Sequence, residues 1–140
     1  MTQQAFKPLH GGCQCGAVRY TLHEPAREVY HCHCEMCRKL HGALYVTFGT
    51  VKRGGITIDK GKDNLRIYDS SPPNHRMFCK TCGCYLFGDD ERYPELFWFT
   101  PATLDGGAYP SPREPVRHVF VSSKVPWYRI ADDLPQSDDY

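Results

Sequence analysis

The chain has 140 residues, 17 of them basic and 16 acidic, for a net charge of +1. That length predicts one domain with a modest core, and so even a charge argues against a nucleic-acid or anionic-membrane partner. Hydrophobic residues at 41% and charged residues at 24% place it among folded globular chains. No apolar run approaches the ~18 residues of a membrane span. Residues 1–10 lack the apolar stretch of a secretory signal, which makes the cytoplasm the expected compartment. There, eight cysteines point to metal binding or thiol chemistry rather than to disulfides.

Twelve glycines and eleven prolines are spread along the chain and punctuate many short segments, as a mainly β domain requires. In chain order, strands are expected at 17–22, 44–51, 56–59, 65–69, 75–78, 84–87, 95–100 and 116–121. These runs are rich in Val, Ile, Phe, Tyr and Thr and alternate in part. The single expected helix is one or two turns over 35–40, stopped by Gly42. A single domain over 1–131 is followed by a polar, acidic tail, 132–140, expected to be mobile.

The cysteines form three groups: Cys13 and Cys15; Cys32, Cys34 and Cys37; and Cys79 and Cys82, with Cys84 two residues on. A C-x-x-C followed by glycine is a tight knuckle that aims two thiolates at one metal, the glycine supplying positive φ. Cys13 and Cys15, two apart on an extended segment, share a face and offer a second pair of sulfurs. Together, Cys13, Cys15, Cys79 and Cys82 make a tetrahedral zinc site that ties together distant parts of the chain. Cys32, Cys34 and Cys37 fall within six positions where a strand turns into a helix. Three ligands with an open fourth position are the pattern of a catalytic zinc. A closed site would need Cys84, His31 or His33 as its fourth ligand. Cys84 reads first as a small buried hydrophobe that is no ligand, and alternatively as a reactive thiol. His31 and His33 read as packed side chains or as donors to a metal-bound sulfur. His33-Cys34-Glu35 with Cys79 and Cys82 also imitates the signature of zinc nucleobase deaminases. Phe78 stands where that signature has proline, and five cysteines would be left without a role.

Four motifs, GCQCGAVRY, CHCEMCRKLHGA, FCKTCGCYLF and HVFVSSKVPWYRI, occur in this order between Leu9 and Ile130. In them the chain resembles the glutathione-dependent formaldehyde-activating enzyme family, which shares its domain with centromere protein V. The resemblance implies a β-tent zinc fold of small, curved antiparallel sheets with one short helix. It implies a structural zinc on Cys13, Cys15, Cys79 and Cys82 and a catalytic zinc on Cys32, Cys34 and Cys37. The implied activity is a carbon–sulfur lyase reaction, the condensation of formaldehyde with glutathione. The implied partners are glutathione or another small thiol and formaldehyde or a related carbonyl, with the oligomeric state open. Arg38 and Lys39, following the trio, are candidates for glutathione's carboxylates, and Trp127 for the pocket wall. The alternative function is a non-catalytic zinc module that binds glutathione or a protein partner.

Overall fold

The computed structural model describes residues 5–111 and 116–140; residues 1–4, part of the segment read as lacking a secretory signal, and 112–115 lie outside it. Among the described residues, ten strands and one α-helix follow in the order β1 (Leu9–Gly12), β2 (Arg19–Leu22), β3 (Glu28–Cys32), α1 (Glu35–His41), β4 (Val46–Lys52), β5 (Ile56–Lys60), β6 (Leu65–Ser71), β7 (Asn74–Cys79), β8 (Tyr85–Asp90), β9 (Leu96–Phe99) and β10 (Arg117–Val119). The mainly β expectation holds, and each expected strand run overlaps an observed strand. β1 and β3 are additions that the sequence pattern did not reveal. Among the described residues, no helix is long and apolar enough to cross a membrane.

Three strands, β1-β2-β5, form one antiparallel sheet; seven, β10-β3-β4-β9-β8-β7-β6, form the other. In the larger sheet only β10 pairs parallel, against β3. The principal core includes Val18, Tyr20 and Leu22 with Val51, Leu86, Phe87 and Phe99, all fully buried. Tyr20 sits edge-on to Phe87 at 5.1 Å between ring centroids, and its hydroxyl hydrogen-bonds Thr103 Oγ1 at 2.8 Å. The hydroxyl is therefore satisfied while the ring contributes full apolar burial, about 2 kcal/mol for a side chain of this size. Cys13 and Cys79 belong to this core. A smaller cluster of Tyr30, Cys32, Cys37, Val46, Phe48 and Val119 lies around α1.

The helix is short because its caps enclose it. Cys34 stands at the N-cap in extended conformation, its sulfur accepting the Cys37 amide, and Gly42 ends the helix at φ 59°. The tail at 132–140 does not hang free. The His118 amide donates to the Pro135 carbonyl, Ser137 donates back to His118, and the Tyr140 ring meets Tyr30 edge-on at 5.1 Å. The acidic residue Asp132 accepts from the ring of buried His118 at 2.9 Å.

Candidate metal centres and the cavity beside them

The hairpin between β1 and β2 carries Cys13 and Cys15; the end of β7 and its turn into β8 carry Cys79 and Cys82. Both segments close on glycines in left-handed conformation, Gly16 at φ 81° and Gly83 at φ 79°. The Gly83 amide donates to the Cys79 carbonyl at 2.8 Å, and the Gly16 amide to Cys13 at 3.1 Å. The four sulfurs lie within 4.8 Å of one another. Cys13 and Cys15 are 3.6 Å apart, Cys15 and Cys79 3.8 Å. A tetrahedron of thiolates about 2.3 Å from a zinc ion has edges of about 3.8 Å, so the donor set fits that ion. Neutral donors face these sulfurs: the Val18 amide to Cys13 at 3.3 Å and Asn64 Nδ2 to Cys79 at 3.2 Å. Burial opposes ionisation of Cys79, but the Cys82 and Thr81 amides and the thiols of Cys13 and Cys82 outweigh it and lower its pKa to about 6. This cluster links the smaller sheet to the larger one.

The second group forms where β3 enters α1. Cys32 is the last residue of β3, Cys34 is the helix cap, and Cys37 lies on the helix's buried side. Their sulfurs also lie within 4.8 Å of one another, so this trio could hold a metal as well. Hydrogen bonds from the Cys32 and Cys37 thiols, with smaller help from the Cys37 amide and the Arg76 charge, hold Cys34 down to about 2 against its burial. Cys32 is pushed up, first by the same hydrogen bond seen from its side. Three sulfurs this close share one negative charge unless a cation stabilises the rest, which is the chemistry of a metal site.

All three trio residues line a cavity of about 710 Å³. The pairing of the larger sheet sets its floor. Arg76 on β7 pairs with Gly88 on β8, Gly88 with Trp98 on β9, Trp98 with Thr50 on β4, and Thr50 with Glu28 on β3. Residues paired in this way share a face, and four of the five, all but Gly88, line the cavity. Gly88 is required here: a Cβ would lie 1.8 Å from Trp98 Cζ2. Tyr140, the last residue, also contributes to the wall.

Arg76 is the residue that sequence reasoning missed. It is 8% exposed, donates from Nη2 to Cys37 Sγ at 3.5 Å and from Nε to Ser70 Oγ at 2.8 Å, and lies over Trp98 with Cζ 5.8 Å from the ring centroid. Nothing in the local sequence distinguishes it from any other strand arginine.

The other expected site residues lie elsewhere. Arg38 turns its Nε back to the His33 carbonyl at 3.3 Å, and Lys39 makes an exposed ion pair with Glu35. Trp127 is 76% exposed. None of the three lines the cavity. His31 and His33 are packed against His118, with ring centroids 4.9 and 5.0 Å from it. His33 shares a ring hydrogen bond with His118 at 2.8 Å, and His31 one with Thr47 at 2.8 Å. Cys84 joins neither sulfur cluster; burial raises its pKa, and it lines a second cavity of about 420 Å³ beside His41 and Tyr85.

The family model described as glutathione-dependent formaldehyde-activating enzyme matches residues 8–123. A Halomonas elongata protein is 30% identical over 129 residues, covering 87% of this chain and 80% of its own; a Pyrenophora teres f. teres protein is 26% identical over 133 residues, covering 80% and 70%. Both bear the name "Putative glutathione-dependent formaldehyde-activating enzyme". The crystal structure of a Rhodobacter sphaeroides protein superposes with a TM-score of 0.57 at 25% identity, covering 70% of this chain and 89% of that one.

Proposed function

The chain belongs to the glutathione-dependent formaldehyde-activating enzyme family, and on that premise we propose that it is a zinc-dependent carbon–sulfur lyase acting on glutathione and formaldehyde or a related carbonyl. One observation carries the reading: of the two sulfur clusters, the three-cysteine one lines the large cavity and the four-cysteine one does not. Cys13, Cys15, Cys79 and Cys82 are the structural ligands. Cys32, Cys34 and Cys37 would hold the catalytic ion, beside the cavity that admits the substrate.

A zinc ion there supplies the charge that keeps a substrate thiol deprotonated near neutral pH, where a free thiol with a pKa of ~8.5 is mostly protonated. The protein's own groups do the rest. Cys34 is fixed by capping α1, and Cys32 and Cys37 are buried, so the three sulfurs cannot turn away from one another. Trp98, Phe48 and Tyr30 present aromatic surface that excludes water beside them. In the reaction the thiolate sulfur adds to the carbonyl carbon, the C=O electron pair moves to oxygen, and that oxygen takes a proton. No other group leaves: the proton the thiol gives up on ionisation balances the one the oxygen takes, and with formaldehyde the product is the S-hydroxymethyl hemithioacetal. Eight free thiols suit a reducing compartment such as the cytoplasm.

The test is elemental analysis followed by exchange NMR of glutathione with formaldehyde. The protein as purified should hold two zinc ions per chain. It should accelerate adduct formation, and Cys37→Ser should lose that acceleration while keeping one zinc. A parent protein with two zinc ions and no rate above the spontaneous reaction would favour the glutathione-binding module instead.

A further inference from the structure

We infer that Arg76 is the fixed counter-charge of the cysteine trio and the residue that lets this site accept an anionic sulfur ligand in preference to a neutral one. The inference deepens the reading of the trio as a metal centre and rests on it. Arg76 is more than nine-tenths buried, yet among the described residues it makes no ion pair with a carboxylate. A buried guanidinium without an anion is strongly unfavourable. The group that it contacts and that can carry negative charge is the sulfur cluster, reached through Nη2 at Cys37. Ser70, which accepts from Nε, and the Trp98 ring beneath the guanidinium also hold the group in place. Its Nη1 is buried and has no hydrogen-bond partner.

The charges then balance in a specific way. Three thiolates and a divalent ion sum to −1, and Arg76 brings the trio to neutrality. A fourth thiolate takes the ensemble to −1; without the arginine it would reach −2 in a partly buried site, where like charges oppose each other strongly. The four-cysteine cluster differs in its surroundings. Its sulfurs receive hydrogen bonds from backbone amides and an asparagine rather than from a guanidinium. Among the described residues, the guanidinium contact to a cysteine sulfur is made at the cluster that faces the cavity, which is where an additional anion would arrive. Arg76 thus acts as a positioning residue: through its charge beside the sulfurs, it selects what occupies the open direction.

Cobalt(II) loaded onto the full chain reports each step through its sulfur-to-metal charge-transfer absorbance. With Arg76→Met, the four-cysteine site should load as in the parent. The trio should lose cobalt affinity by about 10- to 100-fold, the usual cost of removing a group that supports metal ligands. Glutathione should half-saturate the remaining trio cobalt at a concentration at least about 10-fold higher, whereas the neutral ligand imidazole should bind within about 3-fold of the parent; both shifts follow from losing one nearby charge. Arg76→Lys, which keeps the charge, should stay close to the parent in both titrations. Should Arg76→Met lack a cooperative melt, Arg76→Gln removes the charge in the same experiment. Equal loss of glutathione and imidazole binding, or a lysine variant as impaired as the methionine one, would overturn the inference and reduce Arg76 to packing. So would a charge-free variant that matches the parent. A parent that loads cobalt on the four-cysteine cluster alone would overturn the metal reading of the trio, and the inference with it.

Discussion

Replacing Gly88 by alanine tests how the cavity floor is built. The new Cβ would lie 1.8 Å from Trp98 Cζ2, 2.2 Å from Cε2 and 2.5 Å from the His75 carbonyl oxygen. Carbon–carbon contacts become favourable near about 3.5 Å, so the indole has to retreat by about 1.7 Å. Trp98 is held edge-on to Phe48 at 4.8 Å and supports Arg76 from below, so a rigid retreat is obstructed on both sides. Overpacking of this kind costs about 1–3 kcal/mol, and loosening the aromatic pair adds about 0.5–1.5 kcal/mol. With a total of about 1.5–4.5 kcal/mol, and about 4 °C per kcal/mol for a chain of this size, Tm should fall by about 6–18 °C. Thermal unfolding followed by circular dichroism measures that. A Trp127→Phe background removes the exposed indole, so that fluorescence reports Trp98 alone. An alanine variant that melts within about 2 °C of the parent, with Trp98 emission unchanged, would show that the strand yields rather than the ring, and that Gly88 is not what lets the tryptophan lie there.

Three further outcomes follow from the clusters and their surroundings. Cys79→Ser removes a buried ligand from the site that joins the two sheets. It should release one zinc and lower Tm by at least about 10 °C, because structural zinc contributes on the order of 10 kcal/mol to folding; calorimetry with metal analysis checks this, and a variant that melts like the parent with all its zinc contradicts the ligand assignment. Cys84→Ala should keep both metals and lose no more than about 1 kcal/mol, since its sulfur belongs to neither cluster and only its partial burial is at stake. His41 is pulled down to about 4, first by burial and then by the Arg76 charge. Below its ordinary value of 6.5 the unfolded chain takes up a proton that the folded chain refuses, so stability should decline as pH falls from 6.5 towards 4. His41→Phe keeps a ring against Tyr85 and removes this proton; denaturant titrations across that window should show the parent losing stability relative to the variant, and parallel curves would disprove the linkage.

The cysteine grouping was legible from sequence because metal knuckles are local. Cys79-Lys80-Thr81-Cys82 with Gly83 needs only a turn and a positive φ, and Cys32, Cys34 and Cys37 need only a strand entering a capped helix. The strand runs were legible for the same reason, since alternation and β-branching are properties of a few consecutive residues. β3 was not. Its five residues run into the cysteine motif, and it is a strand because β4 and β10 pair with it on either side. The acidic tail, read from composition as mobile, is held by β10 and by Asp132 on His118, partners that composition does not reveal. The cavity lining was the largest omission. Arg38 and Lys39 are neighbours of Cys37 in sequence, but successive helix residues diverge in direction, and these two leave the face that the trio occupies. Arg76 lies 39 residues from Cys37 and reaches its sulfur through strand pairing across five strands of one sheet. Local spacing thus determined which atoms could gather around a metal. What faces that metal was decided by long-range register, because only the register determines which distant side chains share a face of the sheet.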